Sequence, residues 1–379
     1  MTAVVDRVDI AVIGAGAPGL TMAYSLRALG LQPLRDFVVL DERPAPGANW
    51  HRAWDFLTVD RGRRAGELVE LPGQAELGLG IDRIAPDALA RDVVPEMWRK
   101  YEYAYGLQVA HGIRALRVEP VRRRDDLRIT TTRPDGGTAQ FAARLLVSAV
   151  STWSHPFVPW YPGADRFAGV QDHVYRRDSF AAFAGMRVLV VGGGRSAVAV
   201  LLELERLGAR TAWSTLREPD FLDRPTFGLV RRRSALTLAE IGLERRSRVA
   251  RMAARGRWLP SDVSVRGIPQ TLEVFEGRRR GTLASRGPLE RLEPDAAVFA
   301  DGSRAPIDAV LWATGGREST RYLAPLGLRD AGGTPKVRSG WSRRDERVGF
   351  LGYGPGMDAT EALEGAVDLA EDAIDRLVG

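Results

Sequence analysis

One stretch near the start of the sequence limits the possible folds more than any other, and it runs from Val8 to Trp50. A short apolar run ends at Ile13, a glycine-rich turn follows, and apolar residues then recur at helical spacing as far as Leu29. A second apolar run ends in the acid Asp41. Strand, glycine turn, helix, strand and acid are the parts of a dinucleotide-binding βαβ unit, in the required order.

The three glycines of this turn, GAGAPG, each have a mechanical role in such a unit. The first makes the tight turn, the second lets the backbone approach a pyrophosphate, and the third lets the helix pack closely on the sheet. The pyrophosphate lies at the helix N-terminus, and the acid accepts hydrogen bonds from the ribose. The residues that we predict to contact this first nucleotide are Gly14, Gly16, Pro18, Gly19, Asp41, Glu42, Asn49 and Trp50.

The length and the apolar pattern indicate a two-domain protein without a membrane anchor. A chain of 379 residues can form two domains, each with its own core. No window approaches the ~20 uninterrupted apolar residues of a membrane helix, so no transmembrane segment is predicted. The first residues carry acids and lead directly into the first strand, which is not typical of a signal peptide. The cytoplasm is therefore the expected location.

Cysteine is absent from the sequence, and this excludes a disulfide relay, a thiol nucleophile and a cysteine-ligated metal. The four histidines lack the spacing of a metal-binding motif, so no metal is predicted. The net charge of +6 comes mainly from arginine. The densest basic stretch, Arg231 to Arg257, is followed by one aromatic residue, Trp258, and nucleic-acid binding is not expected. A basic surface that attracts an anionic nicotinamide nucleotide explains the charge more simply.

The opening pattern recurs in the middle of the chain. A strand is predicted over Met186–Val191, a glycine turn over Gly192–Ala197, a helix over Val198–Leu207 and another strand over Thr211–Leu216. Alanine takes the place of the third glycine, and it is small enough for the helix to pack on the strand. We therefore predict a second dinucleotide-binding unit.

The residue after the second strand differs between the two units. Arg217 follows it in the second unit, where the first unit has Asp41. An acid suits a free ribose 2′-hydroxyl and an arginine suits a 2′-phosphate, so the first unit fits FAD and the second NADPH. The alternative is that Arg217 is one more surface arginine. The residues predicted to contact NADPH are Gly192, Gly194, Arg195, Ser196 and Arg217, with Arg195 facing the phosphates.

Further motifs lie outside the two glycine turns. They are the acid-to-tryptophan spacing from Asp41 to Trp50, the proline-rich linker Trp153–Pro162, the FxGxxxH motif that ends at His173, the ATG turn Ala313–Gly315, and Phe350–Gly354 before a predicted C-terminal helix. Over most of the chain, these motifs resemble the flavin-containing (class B) monooxygenases, which include the auxin-forming plant enzymes. For His173 the resemblance implies a role at the hinge between domains, and a structural histidine is the alternative.

The resemblance implies an α/β fold of two Rossmann-like dinucleotide-binding domains, with the NADPH domain inserted into the FAD domain. The implied boundaries are 1–155 and 306–379 for the two parts of the FAD domain, and 156–305 for the NADPH domain with a helical insert near 220–266. The insert could roof a substrate cavity, pack on a second copy in a homodimer or lie on an anionic membrane, and a solvated helix is the simplest alternative. Ala313, Thr314, Gly315 and Gly352 are also expected to bind cofactor.

The implied reaction is the transfer of one oxygen atom from O2 to a small molecule, at nitrogen or sulfur or by Baeyer–Villiger insertion. NADPH reduces FAD, O2 adds at C4a, and bound NADP+ shields the resulting C4a-peroxyflavin from water. The candidate catalytic residues Asn49, His51 and Arg52 lie where a loop could reach the flavin, although a polar loop without a chemical role is equally compatible. A reductase or dehydrogenase without oxygenation is the main alternative, and a non-enzymatic nucleotide sensor is disfavoured because both glycine turns are intact.

Overall fold

A computed structural model describes residues 7–121, 125–225, 251–252, 255, 267–317, 319–331, 334–353 and 359–378. Within these residues the helices are α1 (Ala17–Ala28), α2 (Val59–Arg64), α3 (Ala90–Ala104), α4 (Arg195–Arg206), α5 (Leu272–Arg280) and α6 (Ala359–Val378). The strands are β1 (Arg7–Ile13), β2 (Phe37–Asp41), β3 (Ala110–His111), β4 (Arg114–Pro120), β5 (Leu127–Thr132), β6 (Thr138–Ser148), β7 (Val170–His173), β8 (Arg187–Val191), β9 (Arg210–Ser214), β10 (Phe221–Pro225), β11 (Ile268–Gln270), β12 (Leu289–Glu293), β13 (Ala296–Phe299), β14 (Arg304–Pro306), β15 (Ala309–Trp312), β16 (Val337–Arg338), β17 (Trp341–Ser342) and β18 (Val348–Phe350).

A nine-stranded sheet forms the first unit, together with α1, α2, α3 and α6. Its main strand order is β16-β17-β18-β6-β1-β2-β3, and β4 and β5 extend it from β6. The strands β18, β6, β1, β2 and β3 are parallel to one another, so their carboxyl ends meet at one edge of the sheet. The strand β2 is buried along its whole length, as expected for a sheet covered on both faces.

A parallel four-stranded sheet, in the order β7-β15-β8-β9, forms the second unit with α4 and α5. Apolar residues of β8 and α4, such as Val190 and Leu201, are buried together in its core. The three-stranded antiparallel sheet β12-β13-β14 covers another core, in which Phe299 and Trp312 are buried. The predicted α/β fold, with one Rossmann-like unit inserted into the other, is confirmed.

Two details differ from the expected boundaries. The strand β15 lies between β7 and β8, so the chain leaves the second unit after Trp312, later than residue 306. The reason is that β15 completes the parallel sheet before the ATG turn begins. The strand β9 ends at Ser214 instead of Leu216, and this changes which residue follows it.

The two segments that connect the units are hydrogen-bonded to each other. Pro156 and Gly316 form an antiparallel bridge. The N–H of Phe157 donates to the carbonyl of Gly315 at 2.9 Å, and the N–H of Arg317 donates to the carbonyl of His155 at 2.8 Å. The chain therefore enters and leaves the second unit side by side.

The predicted helical insert near 220–266 falls mostly outside the described residues. Of its described residues, 251–252 are helical, whereas Phe221–Pro225 form β10, which pairs in parallel with β11 just beyond the insert, with Phe221 opposite Ile268. None of the helices in the described ranges is long and apolar enough to cross a membrane. Over the same ranges, no group of three or more histidine, aspartate or glutamate side chains is arranged to hold a metal ion.

Candidate functional site

The first glycine turn lies at the carboxyl edge of the nine-stranded sheet, between β1 and α1. Gly14 has a φ of +106°, and a Cβ there would lie 2.5 Å from the carbonyl oxygen of Ala149. A Cβ on Gly19 would lie 1.9 Å from the carbonyl oxygen of Gly14. At Gly16, by contrast, the nearest atom to a Cβ would be the Cδ of Pro18 at 3.9 Å. The protein itself fills the space around the outer two glycines and leaves the space at the middle one open.

The N-terminus of α1 is suited to an anion. Its N-cap is Gly16, and no side chain caps the helix. By contrast, the N-caps of α2 and α5 are Thr58 and Thr271, whose hydroxyls accept hydrogen bonds from the first turn of each helix. The first N–H groups of a helix have no partner within the helix, and a phosphate can accept from them. The open space at Gly16 and these uncapped N–H groups fit the pyrophosphate of a dinucleotide.

Asp41 is held beside this turn. It is buried, its Oδ2 accepts from the N–H of Ala15 at 2.6 Å, and its Oδ1 accepts from the N–H of Arg43 at 2.7 Å. A carboxylate oxygen can accept more than one hydrogen bond, so ribose hydroxyls can still be bound. The carboxylate is therefore fixed where the ribose of a nucleotide on α1 would lie.

A polar network adjoins this carboxylate, and sequence reasoning missed its central residue, Arg43. The Nη2 of Arg43 donates to the Oδ1 of Asn49 at 2.7 Å. It also lies 3.5 Å from the Oγ of Ser154, which donates to the Oε1 of Glu42 at 2.8 Å. The sequence did contain a signal for this residue, since Arg43 directly follows the two acids Asp41 and Glu42. The network connects Glu42 and Asn49, both predicted to bind cofactor, to the segment that leads into the second unit.

The three predicted catalytic side chains point to different partners. Asn49 binds Arg43, the Nε2 of His51 lies 2.6 Å from the carbonyl oxygen of Pro46, and the Nη2 of Arg52 donates to the carbonyl oxygen of Arg176 at 3.5 Å. His51 and Arg52 are exposed. They lie with Trp50 in a short 3-10 helix, Ala48–Arg52. The structure therefore does not bring the three side chains to one point, and their catalytic roles stay predictions.

The second glycine turn repeats the first. Gly192 has a φ of +135°, and a Cβ there would lie 2.2 Å from the carbonyl oxygen of Ala313. Its N–H donates to Ser214, the last residue of β9, at 2.9 Å. Gly194 is the N-cap of α4, again without a side-chain cap. The second unit thus offers the same kind of anion site at the N-terminus of α4.

The hydrogen bonds of the two turns show which residues correspond. Gly14 donates to Leu40, as Gly192 donates to Ser214. The residue after Leu40 is Asp41, and the residue after Ser214 is Thr215. The structural counterpart of Asp41 is therefore Thr215, and the position predicted for Arg217 was wrong because β9 ends earlier than expected. Arg217 is exposed and lies two residues after Thr215, as Arg43 lies two residues after Asp41 in the first unit.

A later loop closes around Thr215. The Oγ1 of Thr215 lies 2.6 Å from the Oγ of Ser285, and its N–H donates to the carbonyl of Gly287 at 3.1 Å. The exposed Arg286 has its guanidinium 4.7 Å from the centre of the Phe299 ring. Ser285 and Arg286 were missed because they are far from β9 in sequence and carry no motif. This end of β9 thus combines neutral hydroxyls with arginines, whereas the end of β2 carries a carboxylate.

Arg195 is the first residue of α4, but its side chain leaves the glycine turn. The Nη1 donates to the carbonyl of Ala65 at 2.5 Å, and the Nε donates to the carbonyl of Gly267 at 3.0 Å. Glu67 lies 3.6 Å from the same Nη1. The side chain therefore connects α4 to the segment after α2 in the first unit, and only the backbone of Arg195 faces the predicted phosphate site. Ser196 follows it, half-buried.

The ATG turn completes the second glycine turn. Ala313 is buried against Gly192, as Ala149 is against Gly14 in the first unit. The hydroxyl of Thr314 donates to the carbonyl of Phe157 in the other connecting segment. The predicted cofactor residue Gly315 follows it with a φ of +72°. Gly352, with a φ of +66°, follows β18 at the carboxyl edge of the first sheet.

His173, the last residue of β7, is fully buried. Its Nδ1 accepts from the N–H of Tyr175 at 3.1 Å, and burial lowers the pKa of its imidazole to about 4. Unfolded histidine has a pKa of about 6.5, so the unfolded chain binds more protons between these values. Folding stability should therefore fall by about 2 kcal/mol as the pH drops from 6.5 to 4, and His173→Gln should remove this part of the loss in urea unfolding.

The matched variant for this pH dependence is His51→Gln, which makes the same replacement at an exposed histidine. His111 contributes in the opposite direction. Burial lowers the pKa of His111, but the hydrogen bond at 2.8 Å and the charge of Glu102 outweigh burial and raise it. Its stabilisation is present below pH 6.5 and is lost as the pH rises through the raised pKa. An unchanged acid profile in His173→Gln would contradict the role of His173.

Comparison with known proteins adds to this geometry. The family model described as pyridine nucleotide-disulphide oxidoreductase matches residues 11–226, more than half of the chain. The solved flavin-containing monooxygenase of Stenotrophomonas maltophilia is 30% identical, with a TM-score of 0.75, and the match covers 98% of this chain and 99% of that one. The chain belongs to the flavin-containing monooxygenase family. It is thus a flavoprotein oxidoreductase, and FAD and NADPH are the cofactors of the family, as the sequence predicts.

Two further proteins are similar to this chain. The chain is 28% identical over 386 residues to the rice indole-3-pyruvate monooxygenase YUCCA1, and the match covers 94% of this chain and 90% of that protein. It shares its fold with the bacillithiol disulfide reductase of Bacillus cereus, at 17% identity and a TM-score of 0.65. Because this chain contains no cysteine, it cannot form the cysteine disulfide of a thiol-relay reductase.

Proposed function

We propose that this protein is a monooxygenase that uses FAD in the first unit and NADPH in the second to add one oxygen atom from O2 to a small molecule. The observation that carries the proposal is the difference between two otherwise matching glycine turns. Asp41 is the last residue of β2 in the first unit, and Thr215 directly follows β9 at the corresponding position of the second unit. A carboxylate suits the unphosphorylated ribose of FAD, and a neutral hydroxyl near arginines suits a 2′-phosphate.

When bound, the flavin would take hydride from the nicotinamide and react with O2. The chain's own part is to hold the two nucleotides and to keep water away. The N-termini of α1 and α4 bind the pyrophosphates, and Asp41 orients the ribose. The network of Glu42, Arg43, Asn49 and Ser154 fixes the loop that follows Asp41.

An aromatic cluster lies between the two units and supports the exclusion of water. Trp153 and Tyr175 are stacked with ring centres 4.2 Å apart, and Trp54 stacks on Phe56 at 5.3 Å. The Nε1 of Trp54 donates to the carbonyl of Val174 at 3.1 Å, which ties the cluster to the second unit. An apolar junction of this kind strengthens electrostatic interactions inside the site and limits loss of reducing equivalents to solvent.

The decisive experiment is anaerobic reduction of the yellow protein with NADPH, followed by mixing with O2 in a stopped-flow spectrometer. A monooxygenase returns to the oxidised flavin spectrum slowly while NADP+ is bound. It also transfers one labelled atom from ¹⁸O2 to its product. Immediate return to the oxidised flavin spectrum would favour a reductase or dehydrogenase, and failure of both NADPH and NADH to reduce the flavin would favour a nucleotide sensor.

The substrate panel should include amines, sulfides, ketones and 2-oxo acids such as indole-3-pyruvate, the substrate named for the rice relative.

Arg217→Ala should weaken the use of NADPH about tenfold, measured as kcat/KM for flavin reduction, and leave NADH unchanged. The reason is that an exposed arginine that contacts a phosphate contributes about 1 to 2 kcal/mol. Arg210→Ala is the matched control, because Arg210 is exposed at the opposite end of the same strand. An equal loss with both nucleotides would show that Arg217 does not recognise the 2′-phosphate.

A further inference from the structure

Arg195 occupies an unusual position, because its backbone and its side chain belong to different interactions. The residue begins α4, so its N–H group lies at the predicted phosphate site of the second unit. Its side chain is 15% exposed and extends to the first unit, where it meets the carbonyl of Ala65 and the carboxylate of Glu67. A third contact, to the carbonyl of Gly267, fixes the guanidinium from the side of the second unit.

The partners in the first unit form a short, self-supporting segment. It consists of α2 and the turn that follows it, residues 59–67. The N–H of Ala65 donates to the carbonyl of Arg61, and the N–H of Glu67 donates to the carbonyl of Gly62, each at 2.9 Å. The N–H groups of Val59 and Asp60 also donate to the carbonyls of Ala88 and Pro86, at 2.9 and 3.0 Å, so the segment is fixed to the rest of the first unit.

A second connection joins the same segment to the second unit, but it is weaker. The Nη2 of Arg61 lies 3.1 Å from Glu273 near the start of α5, and the glutamate side chain is 54% exposed. Exposed ion pairs contribute little, and this one is screened by salt. The guanidinium of Arg195 is less exposed and makes several contacts, so it is the stronger connection between segment 59–67 and the nucleotide site.

We propose that Arg195 is a positioning residue that holds segment 59–67 of the first unit against the N-terminus of α4, and so fixes the distance between the bound nicotinamide nucleotide and the flavin. The proposal rests on the proposed function. Hydride transfer requires the reacting atoms to lie about 3 to 3.5 Å apart, and a displacement of 1 Å costs about a hundredfold in rate. Arg195 thus affects the reaction through the arrangement of the two units, without binding the phosphates by its side chain.

The test compares Arg195→Gln, Arg195→Lys and the control Glu273→Gln in the flavin-loaded enzyme. Anaerobic stopped-flow reduction at a series of NADPH concentrations separates the limiting rate of flavin reduction from the Kd of the nucleotide. Arg195→Gln should lower the limiting rate about tenfold to a hundredfold and change the Kd less than about threefold. Arg195→Lys, which can reach one carbonyl but not both, should restore part of the rate, and Glu273→Gln should match the wild type.

Hydrogen exchange of the peptide that covers residues 59–67 gives a readout that does not depend on turnover. It should be faster in Arg195→Gln than in the wild type, without nucleotide and with the flavin oxidised. A higher Kd with an unchanged limiting rate and unchanged exchange would overturn the proposal and identify a phosphate-binding side chain. If NADPH and NADH both fail to reduce the wild type, the proposed function is wrong, and unchanged exchange in the variant would still overturn the role of Arg195.

Discussion

Gly16→Ser is expected to give a protein that folds as stably as the wild type without flavin but no longer retains FAD. Serine is a better N-cap than glycine by a few tenths of a kcal/mol, and Gly16 has a φ of −73°, which any residue adopts. The space around its Cβ is open. The new hydroxyl would accept from the N–H of Gly19 and fill the place of the pyrophosphate. FAD affinity should therefore fall about a hundredfold, measured by flavin fluorescence on titration of the apoprotein.

Two matched variants make this result specific. Gly194→Ser makes the same change at the N-cap of α4, so the protein should remain yellow while its reduction by low concentrations of NADPH is lost. Gly19→Ser should fail for a different reason, since its Cβ would lie 1.9 Å from the carbonyl oxygen of Gly14 and the helix could not pack. A Gly16→Ser protein that purifies with one FAD per chain would exclude the first turn as the FAD site.

Thr215→Asp is expected to change the preferred nucleotide from NADPH to NADH. The carboxylate would stand where Asp41 stands in the first unit, and the N–H of Gly193 corresponds to that of Ala15, which Asp41 binds. It would accept from the 2′-hydroxyl of NADH and repel the 2′-phosphate of NADPH. We expect the ratio of kcat/KM for the two nucleotides to change about a hundredfold to a thousandfold, since a charge-assisted hydrogen bond is gained and a repulsion is added.

The matched control is Thr215→Asn, which has a similar shape without the charge. It should keep the preference for NADPH, because no carboxylate faces the 2′-phosphate. The ratio is measured by anaerobic flavin reduction with each nucleotide, so it does not depend on the oxygenated substrate. A Thr215→Asp enzyme that still prefers NADPH would move nucleotide recognition away from the end of β9.

The first unit could be predicted in detail because its information is local. The turn around Gly14 and the acid Asp41 are separated by one helix, and each residue type has a direct steric or electrostatic reason. The second unit was predicted as a pattern, but the residue at the position of Asp41 was not. The end of β9 depends on its pairing with β8, where Val191 lies opposite Ser214, and the apolar run alone extends to Leu216.

The remaining differences involve contacts between distant segments. Ser285 meets Thr215 across about seventy positions of sequence, and nothing in its neighbourhood forms a motif. Arg195 was assigned to the phosphates from its place in the glycine turn, whereas its side chain is bound by Ala65 and Gly267. A sequence motif specifies the backbone at such a turn. The direction of a long, flexible side chain is decided by whichever acceptors the tertiary structure brings within reach.

The bridge between Pro156 and Gly316 has a consequence for how such enzymes diversify. Because the two connecting segments lie side by side, the inserted unit can be exchanged between relatives by joining at two neighbouring points, without a change in the surrounding sheet. The preference for one nucleotide can then change with the inserted unit, while the first unit is inherited unchanged. The contact made by Arg195 is the part of the junction that such an exchange would have to re-establish.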